Sequence, residues 1–246
     1  CKLDPLQERP VHHGKSMNAR GRVLALLLAV GFVPMPHDAR GSEQNRFYAQ
    51  QMIELAAAHN ENGVAAMQHM LEQNSPPAPL DAAAAQAALR RGQTALQADE
   101  LDTALSAFQQ ASRDDPGNAE AANYLGLVYR KLDRLPEAEA ALLQALALEP
   151  SRAVAWFQLA QIYALMNDAR RTLGALANTY RFAQNSMRAE EILRNIAENE
   201  AADTLRAAAL ETLRLYQLPV EETIVPPLAV NPGIVPINTL PDSGTP

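Results

Sequence analysis

The chain has 246 residues, a net charge of −7 and a pI near 5.3, and aromatic side chains make up only 5% of it. The charge is uneven: residues 1–22 carry Lys2, Arg9, Lys15, Arg20 and Arg22 against Asp4 and Glu8, a balance of +3, so the rest of the chain carries −10. An acidic body argues against nucleic acid as the main partner. The single cysteine, Cys1, excludes an internal disulfide, and the abundance of Ala and Leu with few aromatics suits packed helices rather than a β-sandwich.

Cys1 has two readings. A mature lipid-anchored bacterial protein begins with such a cysteine; alternatively, residues 1–16 are upstream sequence and the chain starts at Met17. The segment from Met17 to Pro34 favours the second. Met17 to Arg22 is a basic start, Val23 to Val33 is an apolar run of about eleven residues, and Pro34 ends it, which is the layout of a secretory signal peptide. The run is short for a bilayer span. Ala39 and Gly41 place small residues where a signal peptidase reads, leaving Ser42 as the new N-terminus. Residues 1–41 are therefore expected to be an upstream segment plus signal peptide, and the product exported, into the periplasm in a bacterium. The alternatives are an uncleaved inner-membrane anchor and a buried core helix.

Residues 42–75 predict a helical hairpin. One helix spans Asn45–His59, with Tyr48, Met52, Leu55 and Ala56 on its apolar face. A turn at Asn60–Gly63 leads to a second helix over Gly63–Glu72, with Val64, Met67, Met70 and Leu71 on its own. This hairpin is expected to cover the first of the repeated helices downstream. Ser75-Pro76-Pro77-Ala78-Pro79 reads as a linker, after which Asp81 is placed to cap a helix.

The next stretch repeats itself. Pro116 and Pro150 set a period of 34 residues, and at that offset Gly92 falls on Gly126, Ala104 on Ala138, Phe108 on Leu142 and Ala111 on Ala145. A third copy places Leu159-Ala160 under Leu125-Gly126 and Tyr163 under Tyr129. A fixed period of this size predicts stacked helical hairpins. Small residues (Gly92, Gly126, Ala160, Ala104, Ala138) let paired helices cross closely, and larger ones (Leu125, Tyr129, Phe108, Leu142, Trp156, Tyr163) fill the space beside them at helical spacing. The prolines end second helices, with Asn118 and Ser151 as the next N-caps. Hairpin turns are expected near Asp99, Asp133 and Asp168.

These residues resemble the tetratricopeptide repeat family over about 100 residues. Unit two matches its pattern best, through Leu125, Gly126, Tyr129, Ala138, Leu142, Ala145 and Pro150. Unit one departs at Arg91 and Ala95. Unit three departs at Thr172, where a small residue is usual, and at Gln184, where a proline is; its second helix is expected to run on into a C-terminal cap. The resemblance implies an all-α fold, an α-solenoid of about three hairpins (85–118, 119–152 and 153–184, within residues 81–184) between N- and C-terminal capping helices. It also implies a concave groove lined by the first helices: Leu89, Gln93 and Leu96 in unit one, Asn123, Leu127 and Arg130 in unit two, Phe157, Gln161 and Ala164 in unit three. Leu89 and Gln93 stand where a chaperone-type carboxylate clamp would need Lys and Asn, so an acidic C-terminal motif is not the expected ligand.

Residues 185–218 predict two further helices: Ser186 to about Glu198, with Ile192, Leu193 and Ile196 in its stripe, and about Ala201–Leu218, with Ala202, Leu205, Ala209, Leu213 and Tyr216. They are expected to cap unit three. From Pro219 the composition turns proline-rich and apolar without a helical period, so residues 219–246 read as an extended or disordered tail; alternatively, Ile224-Val225 and Ile234-Val235 clip onto a surface.

Nothing in the chain names a reaction. His59 and His69 sit on different predicted helices without partner ligands, so no metal is expected. No G-x-S-x-G, P-loop or H-E-x-x-H occurs, and Asp114-Asp115 and Glu221-Glu222 read as solvated charges. No cofactor and no catalytic residue is expected. The expected role is a non-enzymatic scaffold in the bacterial cell envelope that binds another protein or peptide in its groove, without nucleic acid and with a membrane only through an uncleaved anchor. A self-associating, homo-oligomeric spacer and an accessory subunit of an envelope enzyme or secretion or pilus assembly are the alternatives.

Overall fold

Local hydrogen bonding sets where helices start and stop. Asp81 Oδ1 accepts the Ala84 N–H and Asn118 Oδ1 that of Ala121, each at 2.9 Å, so both residues cap the helices expected of them. The first helix of each unit ends on a left-handed residue: Asp99 (φ 56°), Asp133 (φ 58°) and Asn167 (φ 57°). In all three, that residue and the next donate back to the helix, as Asp99 N–H does to Leu96 O (3.1 Å) and Glu100 N–H to Ala95 O (2.9 Å). This is the Schellman arrangement, with Asp and Asn taking the place glycine usually fills.

The computed structural model describes residues 37–219, and the packed helices belong to the unit that begins at Gly41. The signal-peptide reading up to residue 36 and the tail reading from residue 220 lie outside the described residues. Ten helices and no strand occur among the described residues: α1 His37–Ala57, α2 Glu61–Glu72, α3 Ala82–Gln97, α4 Leu101–Asp114, α5 Ala119–Lys131, α6 Leu135–Leu148, α7 Ala153–Leu165, α8 Ala169–Arg181, α9 Ser186–Asn199 and α10 Asp203–Leu215. The fold is all-α. Helices α3/α4, α5/α6 and α7/α8 are the three hairpins, and each second helix packs on the first helix of the next, α4 on α5 and α6 on α7.

The close crossings are where the repeat puts them. A side chain on Gly92 would run into the Phe108 ring, and one on Gly126 into Leu142. Ala104, Ala138 and Ala160 are fully buried. Two apolar cores result. Ala88, Leu89, Ala104, Phe108 and Val128 form the first, around α3, α4 and α5. The second runs from α6 to α10 around Leu142, Trp156, Tyr163, Leu176 and Leu213, and it takes in Met52, Ile53 and Ala56 of α1.

That last contact corrects the expectation for the N-terminal hairpin. It does not cover the first unit. Helix α1 lies against α8: a Cβ on Gly174 would collide with the Ile53 carbonyl, Asn178 Nδ2 donates to Met52 O at 3.1 Å, and Arg170 Nε pairs with Glu54 at 2.6 Å. From α2, Glu61 pairs with Arg181. The chain then returns to unit one through the proline linker, where Leu80 and Asp81 both donate to Asp114 O at 2.7 and 3.0 Å. Leu142, Leu143, Leu146 and Ala147 of α6 are all buried, a wider apolar face than one hairpin partner covers, and Met52, Ile53 and Ala56 of α1 join the same core.

Smaller expectations also change. Helix α1 starts at His37 rather than Asn45, so the expected Gly41–Ser42 cleavage point falls inside it. Asn185, not Ser186, caps α9, accepting the Arg188 N–H at 2.9 Å. Ser151 caps nothing; α7 starts after Arg152 without a side-chain cap. Helix α8 does not run on: it stops at Arg181, and the Phe182 ring stacks at 6.3 Å on Trp156, fixing the turn into α9. Thr172 is tolerated because its hydroxyl donates to Asp168 O at 2.7 Å inside α8.

Candidate partner-binding face

The first helices α3, α5 and α7 follow one another, and α5 touches α7 directly. The residues assigned to a groove on them do not share one fate. Leu89 is only 4% exposed and belongs to the first core; its place on α3 beside Ala85, Ala88 and Gly92 puts it on the buried stripe, so its assignment to a binding face is corrected. Gln93 is engaged: its amide donates to Glu120 Oε1 at 3.1 Å and to the Tyr124 hydroxyl at 3.3 Å, tying α3 to α5. Leu96 and Phe157 are half-buried against the cores, Leu127 and Gln161 are half-buried, and Ala164 is buried.

Asn123 and Arg130 behave differently. They lie seven residues apart on α5, two turns along one stripe. Asn123 is 5% exposed, yet its Oδ1 accepts no hydrogen bond, and the Arg130 Nε is buried without an acceptor. A third such atom is Oε1 of Gln158 on α7, in a side chain 6% exposed. An unmatched buried polar group costs about 1–3 kcal/mol. Burial also pushes the Arg130 guanidinium below its ordinary pKa, and no carboxylate offsets that. The contrast with its neighbours is sharp. Arg134, Arg152, Arg171 and Arg194 are each paired with a carboxylate within 3 Å.

A periodic device braces the turns beside this face. The hydroxyl of Tyr129 accepts from Gln109 Nε2 at 3.1 Å and Arg134 lies over its ring at 4.7 Å. One unit on, the Tyr163 hydroxyl donates to Glu139 Oε1 at 3.0 Å and Arg171 lies over its ring at 4.4 Å, while also pairing with Glu139 and Asp168. Burial first, then the Glu139 charge, pushes the Tyr163 hydroxyl well up, so it stays protonated. Ala95 leaves unit one without this brace.

The C-terminal hairpin packs mainly through α10, which lies along α8, while α9 touches α8 much less. Where α9 stands off, a cleft of about 880 Å³ opens, lined by Val154, Phe157, Tyr180, Phe182, Ile192 and Leu193. Phe157 is thus shared between the first-helix face and this cleft. Gln158 and the cleft are what sequence reading missed. The signal for the first was one glutamine core position amid Trp156, Leu159, Ile162 and Tyr163; no local signal marks the second.

No group of three or more His, Cys, Asp or Glu among the described residues is placed to hold a metal ion, and no described helix is long and apolar enough to cross a membrane. Residues 89–153 match the family model of the tetratricopeptide repeat. No curated protein matches the chain in sequence. Among solved structures, a crystal structure of MamA is 22% identical, covering 54% of this chain and 76% of that one with a TM-score of 0.45. A crystal structure of MamA protein is 19% identical, covering 70% and 90%, with a TM-score of 0.44. The 34-residue hairpins, the glycine crossings and the family match together identify residues 89–153 as tetratricopeptide repeats, in general terms a scaffold for protein–protein interaction.

Proposed function

We propose that the chain is an exported scaffold whose first-helix face, centred on α5, holds an extended segment of a partner protein in the cell envelope. The observation that carries this reading is that three of the buried polar atoms without hydrogen-bond partners, Asn123 Oδ1, Arg130 Nε and Gln158 Oε1, lie on the first helices α5 and α7, the others among the described residues belonging to Asn178 and Arg181 of α8. A bound segment would satisfy the three on α5 and α7: its backbone N–H groups donate to the two amide oxygens, and a carboxylate meets Arg130, restoring the counter-ion that burial makes costly to lack. Leu127 and Phe157 offer apolar contact to alternate side chains. Export rests on the basic start and apolar run of residues 17–33.

The test is affinity capture with crosslinking in the native host, comparing wild type with a variant carrying Asn123→Ala, Arg130→Ala and Phe157→Ala. The partner recovered by wild type should fall by roughly tenfold or more, about 1.4 kcal/mol, with the helical circular-dichroism signal unchanged. Equal recovery would remove the face from the binding reaction. N-terminal sequencing of the exported form should begin at Ser42; a start upstream of Met17 or an intact leader would favour an anchor.

A further inference from the structure

We infer that the cleft between α7, α8 and α9 is the docking site of this chain's own C-terminal segment, with the apolar stretch Ile224–Val235 lying in it. The cleft shares Phe157 with the first-helix face, and this docking is tested in the absence of any partner.

The cleft exists because the last hairpin breaks the stacking rule of the array. In the three repeats, a second helix packs on the next first helix; here α10 takes the place against α8 that α9 would hold. The apolar surface that α9 would have covered stays open. Val154 is 49% exposed and Ile192 39% exposed, and the aromatic rings of Phe157, Tyr180 and Phe182 line the floor and wall. The rim arginines, Arg152 and Arg188, are each already paired at 2.6 Å with a glutamate of their own neighbourhood, Glu149 and Glu191. The cleft therefore offers apolar and aromatic contact and no free charge.

The sequence beyond the described residues has the matching character and leaves from the right place. Tyr216, at the end of α10, packs on Tyr180 with ring centroids 4.6 Å apart, and its hydroxyl donates to Ala177 O at 3.1 Å. The chain thus passes Pro219 beside a helix that forms one wall of the cleft. Five residues from Pro219 to Ile224 reach about 17 Å when extended. From Thr223 to Pro241 the sequence holds no charged residue, and prolines at 226, 227, 232 and 236 interrupt Ile224, Val225, Leu228, Val230, Ile234 and Val235. Proline-rich segments need little ordering to fit aromatic-lined grooves, and a tethered segment competes at an effective concentration in the millimolar range.

The test uses the full chain with Cys1→Ser, which removes the only native thiol. Ile192→Cys combined in turn with Ile224→Cys, Val225→Cys or Leu228→Cys should give, at low protein concentration and mild oxidation, a disulfide within one chain for at least one pair. Thr103→Cys on the exposed side of α4 serves as the control that should not pair. Separately, a variant with Ile224→Asp, Val225→Asp and Leu228→Asp should exchange the amides of residues 186–193 at least tenfold faster than wild type, with residues 101–114 unchanged. Exchange rates that do not move overturn the proposal. So do disulfides that form only between chains and vanish on dilution, which would assign the cleft to a second copy.

Discussion

Gly126 and Gly174 look alike in sequence, and the structure separates them. A methyl group on Gly126 meets the branch carbon of Leu142, a side chain that is itself fully buried in the core. On Gly174 it meets the backbone carbonyl of Ile53. Replacing a helical glycine by alanine gains about 1 kcal/mol in propensity, while overpacking costs about 1–3 kcal/mol. Gly126→Ala is therefore expected to cost up to about 2 kcal/mol in urea unfolding, because Leu142 has to repack as a side chain within the core. Gly174→Ala should cost about 1–3 kcal/mol and raise amide exchange over residues 47–57 as α1 lifts from α8. Gly126 was legible because its partner recurs at the same offset as Phe108 does for Gly92. Gly174 was not, because its partner lies on a helix outside the repeat. Among the groove residues, Asn123 and Arg130 could be placed on one stripe of α5 from their spacing, but the spacing of Leu89 does not tell a wall from a core.

At the scale of single helices, the start of α8 carries a pH-sensitive cap. Asp168 accepts the Arg171 N–H at 3.0 Å and its Nε–H at 2.7 Å. The backbone N–H is the main reason its carboxyl sits below the usual range; partial burial pulls the other way, and the Arg171 side chain adds to the lowering. A carboxyl depressed in the folded state contributes stability that is complete above its unfolded value, about pH 4, and is lost as pH falls through the folded value. Asp168→Asn keeps a cap acceptor without the charge. Its melting temperature should lie below that of wild type at neutral pH, and the gap should narrow as pH falls below the ordinary aspartate value of about 4; a gap constant with pH would show that the charge contributes nothing. Asp81 and Asn118 announced their helices because each stands alone before an apolar stripe. Asn185 and Ser186 are adjacent candidates, and only the backbone geometry picks the asparagine.

At the scale of the whole chain, the two cores predict two levels of stability. Phe108 fills the space over Gly92 in the first core, so Phe108→Ala should cost about 3–5 kcal/mol. That loss is expected to open α3 and α4 while α6 to α10 keep their amide protection, which hydrogen exchange read by mass spectrometry resolves. Uniform loss of protection would mean that the repeats unfold as one. The three hairpins were legible because their contacts are between sequence neighbours and recur. The seat of α1 and α2 was not: an apolar stripe shows that a helix needs a cover, and the partner surface on α8 lies more than a hundred residues downstream.

That distance has a cost in time. The bond between Met52 and Asn178 spans 126 positions, so during synthesis at about 5–20 residues per second α1 waits about 6–25 s for its seat to be made. Throughout that interval Met52, Ile53 and Ala56 lack the α8 surface they lie against in the folded chain, and stay open to any holding factor that reads apolar helices.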